Sequence, residues 1–398
     1  MMKTLIRCFL AVLATGILLS CNRTEPDAVP VRRVVLMYAA AYSNLSSSIA
    51  EDVDDMCKGA IPHVGSGDIL LVYSHHTASP YDYRTPTDPV LFRVYRDMED
   101  KEHRDTLAIY PDTDVSSTPE VFHKVLSDVK EMFPARSYGL IFTSHAKGWV
   151  PVGYKENNYI TLEARENDYP LTKWLGIESV TGSGIDIKDF PDAIPMKLDF
   201  AVMDACLMGC VEFAYELRDK CRYIIFSPTE ILSNGFVYTS MASRLLNTAT
   251  PDLKQICADY HAFYMAQSGT YQSATITLVD CSKLEGLAAA CSDIISAHRE
   301  AMELVDRSKI QPYFYNELHW FYDLRDTLVK MGAAASELSR LDAALDECVL
   351  YFATTPTFFG VKMTDVCGMS MYFPYPDKQE LNNYYKTLSW NKATGLIQ

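Results

Sequence analysis

The sequence predicts an α/β fold, a mainly parallel sheet flanked by helices, and three observations carry that expectation. Short, almost wholly apolar runs recur from Val31 to Phe226, segments with helical spacing lie between several of them, and His145 and Cys206 each follow the end of such a run. Apolar runs without alternation suit strands covered on both faces, as parallel strands are, and alternating strands and helices imply a sheet with helices on both sides.

Val31 to Ala40 contains the first run, VVLMYAA, and Ser47 to Lys58 follows with Ile49, Val53 and Met56 at helical spacing. Ile69 to Tyr73 is a second buried strand, and Leu91 to Tyr95 alternates as a hairpin arm would. Ser117-Thr118-Pro119-Glu120 opens a helix running to Phe133, with a cap followed by proline in the first turn and an apolar stripe of Val121, Phe122, Val125, Leu126 and Val129. Tyr138 to Thr143, Leu198 to Met203 and Tyr223 to Phe226 are the third, fourth and fifth strands, with a helix over Val211 to Arg218. Beyond residue 245 the chain becomes more helical: Leu253 to Gln267, Leu284 to Glu303, Tyr313 to Lys330 and Ala333 to Val349. Ala274 to Val279 and Ser370 to Phe373 are strand-like and would extend the same sheet. The expected organisation is a core over 31–245 and a C-terminal α/β extension over 246–398, packed on the core as one unit without an intervening linker.

The first 30 residues are set apart. Lys3 and Arg7 precede an apolar run too short to span a bilayer, which needs about 20 residues, and Leu18-Leu19-Ser20-Cys21 ends it. This is similar to a bacterial lipoprotein signal over 1–20, with Cys21 as the lipidated residue and 21–30 a polar tether; an ordinary secretory signal is the alternative. The expected location is membrane-anchored, on the periplasmic or cell-surface side.

The 398 residues are 48% hydrophobic and 22% charged, enough to bury a sizeable core. With 51 acidic and 36 basic residues the formal charge is −15, which disfavours nucleic acid as a partner and favours cationic substrates. Without Lys3 and Arg7 the balance is 51 to 34, or −17. Of eleven cysteines, those beyond Cys8 and Cys21 are scattered without CxxC pairs, so neither a disulfide framework nor a metal site is expected. His75-His76 lacks partners at metal-ligand spacing and fits a loop or rim pair. Cys257, Cys291 and Cys348 fit small buried hydrophobes, as does Cys210, expected four residues after Cys206 on the same helical face, for which a resolving thiol or a metal ligand is the alternative.

In open parallel sheets the chemistry sits at the carboxyl ends of the strands. Cys206 there would follow a strand and precede a helix start, gaining from the helix dipole, with His145 at a neighbouring tip. The surrounding words, SHAKGW from Ser144 to Trp149 and DACLMGCVEFAYEL from Asp204 to Leu217, resemble the histidine and cysteine motifs of the clostripain family of cysteine peptidases. The similarity extends to Met37-Tyr38-Ala39-Ala40, Asn44-Leu45, Phe133-Pro134-Ala135, Ser227-Pro228-Thr229-Glu230, Tyr322-Asp323-Leu324 and Gly368 to Pro374.

The resemblance implies a caspase-like fold and a cysteine endopeptidase that cuts after Arg or Lys. Cys206 would be the nucleophile and His145 the general acid/base, with the backbone N–H groups of Ala146 and Cys206 as the oxyanion hole. Many relatives carry glycine where Ala146 stands, so an ordinary φ is required at that position. Asp204, two residues before the nucleophile, is the first choice for recognising the cationic side chain and Glu230 the second; a helix cap is the alternative for Asp204. No cofactor is implied, and calcium dependence is left open. Expected partners are peptides or proteins with basic residues, and the membrane through the lipid. The polar segment from Gly153 to Asp192, with Lys155, Arg165, Lys173 and Lys188, is a candidate for self-processing. The rival from a different class is a catalytically silent surface lipoprotein that uses the fold to bind peptide or another partner.

Overall fold

The computed structural model describes residues 30–40, 44–79, 82–111, 116–154, 169–173, 184–314 and 320–398. The signal, Cys21 and most of the tether lie outside them, as do Lys155 and Arg165.

Among the described residues nine strands form the central sheet. They are β1 (Arg33–Ala40), β2 (Asp68–His75), β5 (Val90–Arg96), β6 (Glu102–Ile109), β7 (Ser137–Thr143), β8 (Leu198–Asp204), β9 (Cys221–Phe226), β10 (Thr275–Asp280) and β12 (Val349–Thr354). The order across the sheet is β12-β10-β9-β8-β7-β1-β2-β5-β6. The five central strands β2, β1, β7, β8 and β9 run parallel, and antiparallel strands close both sides. A small hairpin of β3 (Thr77–Ser79) and β4 (Asp82–Pro86) and a ribbon of β11 (Tyr322–Asp323) with Ser370–Met371 stand apart from it.

The apolar runs become the strands because they are covered on both faces: every residue of β1 is buried. Within that core the Tyr38 ring stacks on Tyr73 and Phe142, with centroids 4.4 and 5.8 Å away, and takes the edge of Phe122 at 4.9 Å. Phe122 belongs to the helix Pro119–Met132, whose predicted stripe is its buried face. Thr118 accepts the Val121 N–H at 3.4 Å as its cap, a contact worth about 1 kcal/mol.

Val31–Gln398 is one compact unit, and β10 and β12 bring the C-terminal part into the central sheet as the fold class requires. Several boundaries differ from the sequence reading. Ser370–Met371 pairs with β11 rather than extending the sheet, because the Ser370 N–H is taken by the Gly209 carbonyl at 2.9 Å. Of the helix expected over Tyr313 to Lys330, residues 315–319 lie outside the described residues and the helix observed is Leu324–Lys330; before it Pro312 bridges Tyr322, and the Tyr313 hydroxyl is spent on Asp323 at 2.9 Å. The helix ending near residue 349 gives way to β12, which was not expected. Nor is His75-His76 a loop pair: His75 ends β2, is buried against the Ser116 hydroxyl, and its imidazole is held down to about 4 by that burial.

Candidate functional site

Parallel pairing sets the site. Thr143 at the end of β7 lies opposite Asp204 at the end of β8, so His145 and Cys206, each two residues further on, leave the sheet side by side on strands about 4.8 Å apart. Both residues thus lie just beyond the carboxyl ends of adjacent parallel strands, where open sheets of this kind place their sites.

Cys206 does not sit at a helix N-terminus. The helix after β8 starts only at Val211, with Cys210 in an extended cap conformation, so the dipole argument lapses and Cys206 and Cys210 do not share a helical face. Instead a sharp turn presents the thiol. Leu207 takes a left-handed φ of 62°, a strained conformation for a non-glycine residue. Its N–H donates to the Thr229 carbonyl at 3.0 Å, and that of Gly209 to Ser227 at 2.8 Å. Gly209 is required because a Cβ there would stand 2.3 Å from the Pro228 nitrogen. These bonds lace the cysteine turn to the segment after β9. There Ile231 donates its N–H to the Cys206 sulfur at 3.2 Å.

His145 is oriented by Asn44, whose Oδ1 lies 3.0 Å from Nε2. Desolvation pulls the imidazole down to about 3, and the nearby Lys173 ammonium adds to the effect. Burial pushes the Cys206 thiol well above its ordinary value, reinforced by Glu230. In this arrangement both groups are neutral.

Asp204 is wholly buried and faces a cation supplied by the chain itself. The Nζ of Lys173 contacts Asp204 Oδ2, lies 2.9 Å from Asp52 Oδ2 and 3.1 Å from the Thr143 hydroxyl. Asp204 Oδ2 also accepts from Thr143 Oγ1 at 3.1 Å and from the Tyr238 hydroxyl at 2.5 Å. Burial opposes the Lys173 charge, but Asp204 and Asp52 outweigh it and hold its pKa above the usual value. Asp52 carries the surplus negative charge: burial, with the Asp204 charge adding to it, pushes its carboxyl up to about 7 against the pull of Lys173. Gly235, with φ at 58°, roofs the pocket, and a Cβ there would come within 2.9 Å of both Lys173 Nζ and Asp204 Oδ2. The helix-cap alternative for Asp204 is thereby replaced by a charge pair in a closed pocket.

The backbone carrying Lys173 is docked as a strand. Thr172 forms an antiparallel bridge with Leu232. Lys173 donates its N–H to the Ile231 carbonyl at 2.8 Å, and Ser233 donates to Leu171 at 2.8 Å. The Lys173 carbonyl in turn accepts the Ala146 N–H at 3.3 Å, and Ala146 achieves this at an ordinary φ, since it is not among the non-glycine residues with positive φ. Glu230, expected to help recognise a cationic side chain, takes the Thr172 hydroxyl at 2.5 Å instead.

Three site residues escaped the sequence reading. Asp52 carried a usable signal, a carboxylate on the Ile49-Val53-Met56 face of its helix, where a charge has to find a partner. Asn44 was noted only as part of a motif, and Lys173 only as one base among four. Among the described residues no group of three His, Cys, Asp or Glu is placed to hold a metal ion.

The sequence profile of the Clostripain family matches residues 37–341. Among solved structures, an inactive zymogen C11 protease from Parabacteroides distasonis is 25% identical, with a TM-score of 0.75 over 91% of this chain and 97% of that one. A secreted C11 cysteine protease from Bacteroides thetaiotaomicron is 23% identical, with a TM-score of 0.74 over 92% and 99%; it has also been solved with an irreversible peptide inhibitor, at 24% identity and a TM-score of 0.73 over 91% and 98%. None of the curated proteins compared with the chain matches it. The caspase-like α/β fold follows from these neighbours, and a hydrolase chemistry that runs without a cofactor follows from the family match. The chain belongs to the clostripain family of cysteine peptidases.

Proposed function

We propose that this peptidase cleaves after Lys or Arg with a Cys206–His145 dyad, and that it is made in a latent form whose first substrate is its own Lys173–Trp174 bond. The observation that carries this reading is Lys173. Its side chain fills the Asp204–Asp52 pocket, its N–H and the Leu171 carbonyl bond an adjacent strand, and its carbonyl meets the Ala146 N–H. That is how a peptide substrate would lie with lysine on the N-terminal side of the scissile bond, in strand-addition mode. The Parabacteroides distasonis relative was solved as an inactive zymogen, in keeping with a latent form here.

In the proposed reaction Asn44 orients the His145 ring through Nε2, and His145 takes the proton of the thiol. The Cys206 thiolate attacks the carbonyl carbon of the basic residue, and the oxyanion develops towards the Ala146 and Cys206 N–H groups. The C–N bond breaks as the imidazolium protonates the leaving amine. Water, deprotonated by His145, then attacks the thioester, releasing the acid and restoring the thiol. A buried carboxylate pair rejects a neutral side chain because that would leave the charges unpaired. While Lys173 and its strand remain in place they block the pocket and keep the dyad desolvated, which favours the neutral thiol and imidazole. Lipidation at Cys21, anchoring the enzyme on the periplasmic or cell-surface side, belongs to the same reading, supported by the Leu18-Leu19-Ser20-Cys21 sequence.

The test is hydrolysis of Lys- and Arg-terminated reporter amides by the chain after it has been cut at Lys173, alongside Cys206→Ala cut in the same way. Turnover by the first alone is expected. No turnover, together with no labelling of Cys206 by an electrophilic peptide, would overturn the proposal.

A further inference from the structure

We infer that Glu230 selects the residue immediately before the cleaved lysine, favouring a threonine or serine there. The inference rests on the reading of Lys173 as a docked substrate residue, and its geometry is separate from the cation pocket. Side chains alternate along an extended segment, so in Leu171-Thr172-Lys173 the middle residue points away from the side taken by the lysine. It points into the protein. Thr172 is 7% exposed and Glu230 is fully buried, and the Thr172 hydroxyl donates to Glu230 Oε2 at 2.5 Å. Leu171, one residue further out, is 43% exposed. The docked segment is therefore held at two side chains, one a cation on Asp204 and Asp52, the other a hydroxyl on Glu230.

A buried carboxyl group whose partner comes from the substrate discriminates by what happens when that partner is missing. Valine has nearly the shape of threonine but no donor, so it would fill the same space and leave Glu230 Oε2 desolvated without the threonine hydrogen bond. Losing a hydrogen bond that involves a charged group corresponds to a preference of about ten-fold or more. The substrate class is thus narrower than peptides with a basic residue: it is peptides in which a small hydroxyl residue precedes the lysine.

Two measurements test this. In the first, the enzyme cut at Lys173 is given three reporters that differ only at that position, ending Thr-Lys, Ser-Lys and Val-Lys. The expected kcat/KM for Thr-Lys exceeds that for Val-Lys by about ten-fold or more, with Ser-Lys nearer to Thr-Lys. In Glu230→Leu the Thr:Val ratio falls to about one, whatever happens to the overall rate. Turnover with equal preference for Thr and Val would overturn the role of Glu230 while leaving the proposed peptidase activity intact. The second measurement needs no activity from this chain. In a Cys206→Ala background an added lysine-specific protease is used, and cutting after Lys173 is followed by mass spectrometry. Thr172→Val is expected to raise the rate of that cut by about ten-fold, because the segment undocks more often, whereas Thr172→Ser leaves it close to the parent rate. Equal protection of the Val and parent chains would refute the inference even if no reporter were ever hydrolysed.

Discussion

Replacing Asp204 by asparagine tests the cation pocket most directly. The side chain keeps its shape and retains an acceptor for the Tyr238 and Thr143 hydroxyls, so the strand ends should stay where they are. What disappears is the charge facing Lys173 Nζ, in a pair with both side chains wholly buried. Breaking a buried pair from one side costs about 3–5 kcal/mol, but Asp52 still stands 2.9 Å from Nζ, which puts the loss at the lower end. At about 1.4 kcal/mol per factor of ten, self-cleavage after Lys173 should slow by about 100-fold. The assay follows the intact chain and its two fragments over time, with the new C-terminus identified by mass and the fold checked by circular dichroism. Lys173→Met should abolish the cut at that bond, whereas Lys173→Arg should retain it. Cleavage of the folded Asp204→Asn chain at the Lys173–Trp174 bond at the parent rate would refute the argument, because the residue that reads the lysine would then have to be elsewhere.

Further predictions concern the turn, the pocket roof and a buried acid. Gly209→Ala drives a Cβ to within 2.3 Å of the Pro228 nitrogen, and should cost about 2 kcal/mol in urea unfolding and suppress electrophilic labelling of Cys206; unchanged labelling would show that the turn tolerates the shift. Gly235→Ala narrows the pocket around Nζ, so in the cut enzyme the Arg:Lys ratio of kcat/KM should fall, guanidinium being the bulkier group, and a rise would contradict the proposed roof. Glu212 accepts the Tyr372 N–H at 2.8 Å and the Tyr385 hydroxyl at 2.6 Å, and burial pushes its carboxyl up to about 7. The folded chain therefore keeps this proton after the unfolded chain has lost it, so its contribution to stability is full below the ordinary value of 4.5 and drains away as pH rises to about 7. Glu212→Gln should gain on the parent by up to about 3 kcal/mol between those two pH values, read from urea unfolding at each; a difference independent of pH would remove this carboxyl from the account.

The central strands were legible because burial on both faces leaves an unbroken apolar run, as in VVLMYAA of β1 and FAVM of β8. The edge strands were not. β6, EHRDTLAI, is half exposed and mostly polar, so what makes it a strand is the ladder offered by β5 rather than anything in its own pattern. β12 follows a helix without a break, the cap of Ala335–Cys348 being Val349 itself, and its VLYFAT sequence takes up extended pairing because β10 presents an open edge. Local sequence had no means of announcing either partner.

The site divides along the same physical line. His145, Cys206 and Asp204 are fixed by strand ends and the words around them, which sequence can carry. Lys173 lies 31 residues before Asp204 and Asp52 lies 121 before Lys173, and nothing local marks them as partners. A lysine in a polar segment is ordinarily a solvated one; this one is buried because two carboxylates exchange their water for its ammonium. The same exchange gives the proposed latency its logic. Asp204 and Asp52 cannot be left together in a dry pocket without a counter-cation, since like charges at that distance drive one of them to take up a proton. Supplying Lys173 from the chain lets the pocket fold closed, and removing it leaves a hydrated, doubly acidic site that a substrate Lys or Arg can re-neutralise. On that proposed account the formal charge of −15 contributes only long-range attraction, and the selectivity would reside in two carboxylates that need a cation to be buried at all.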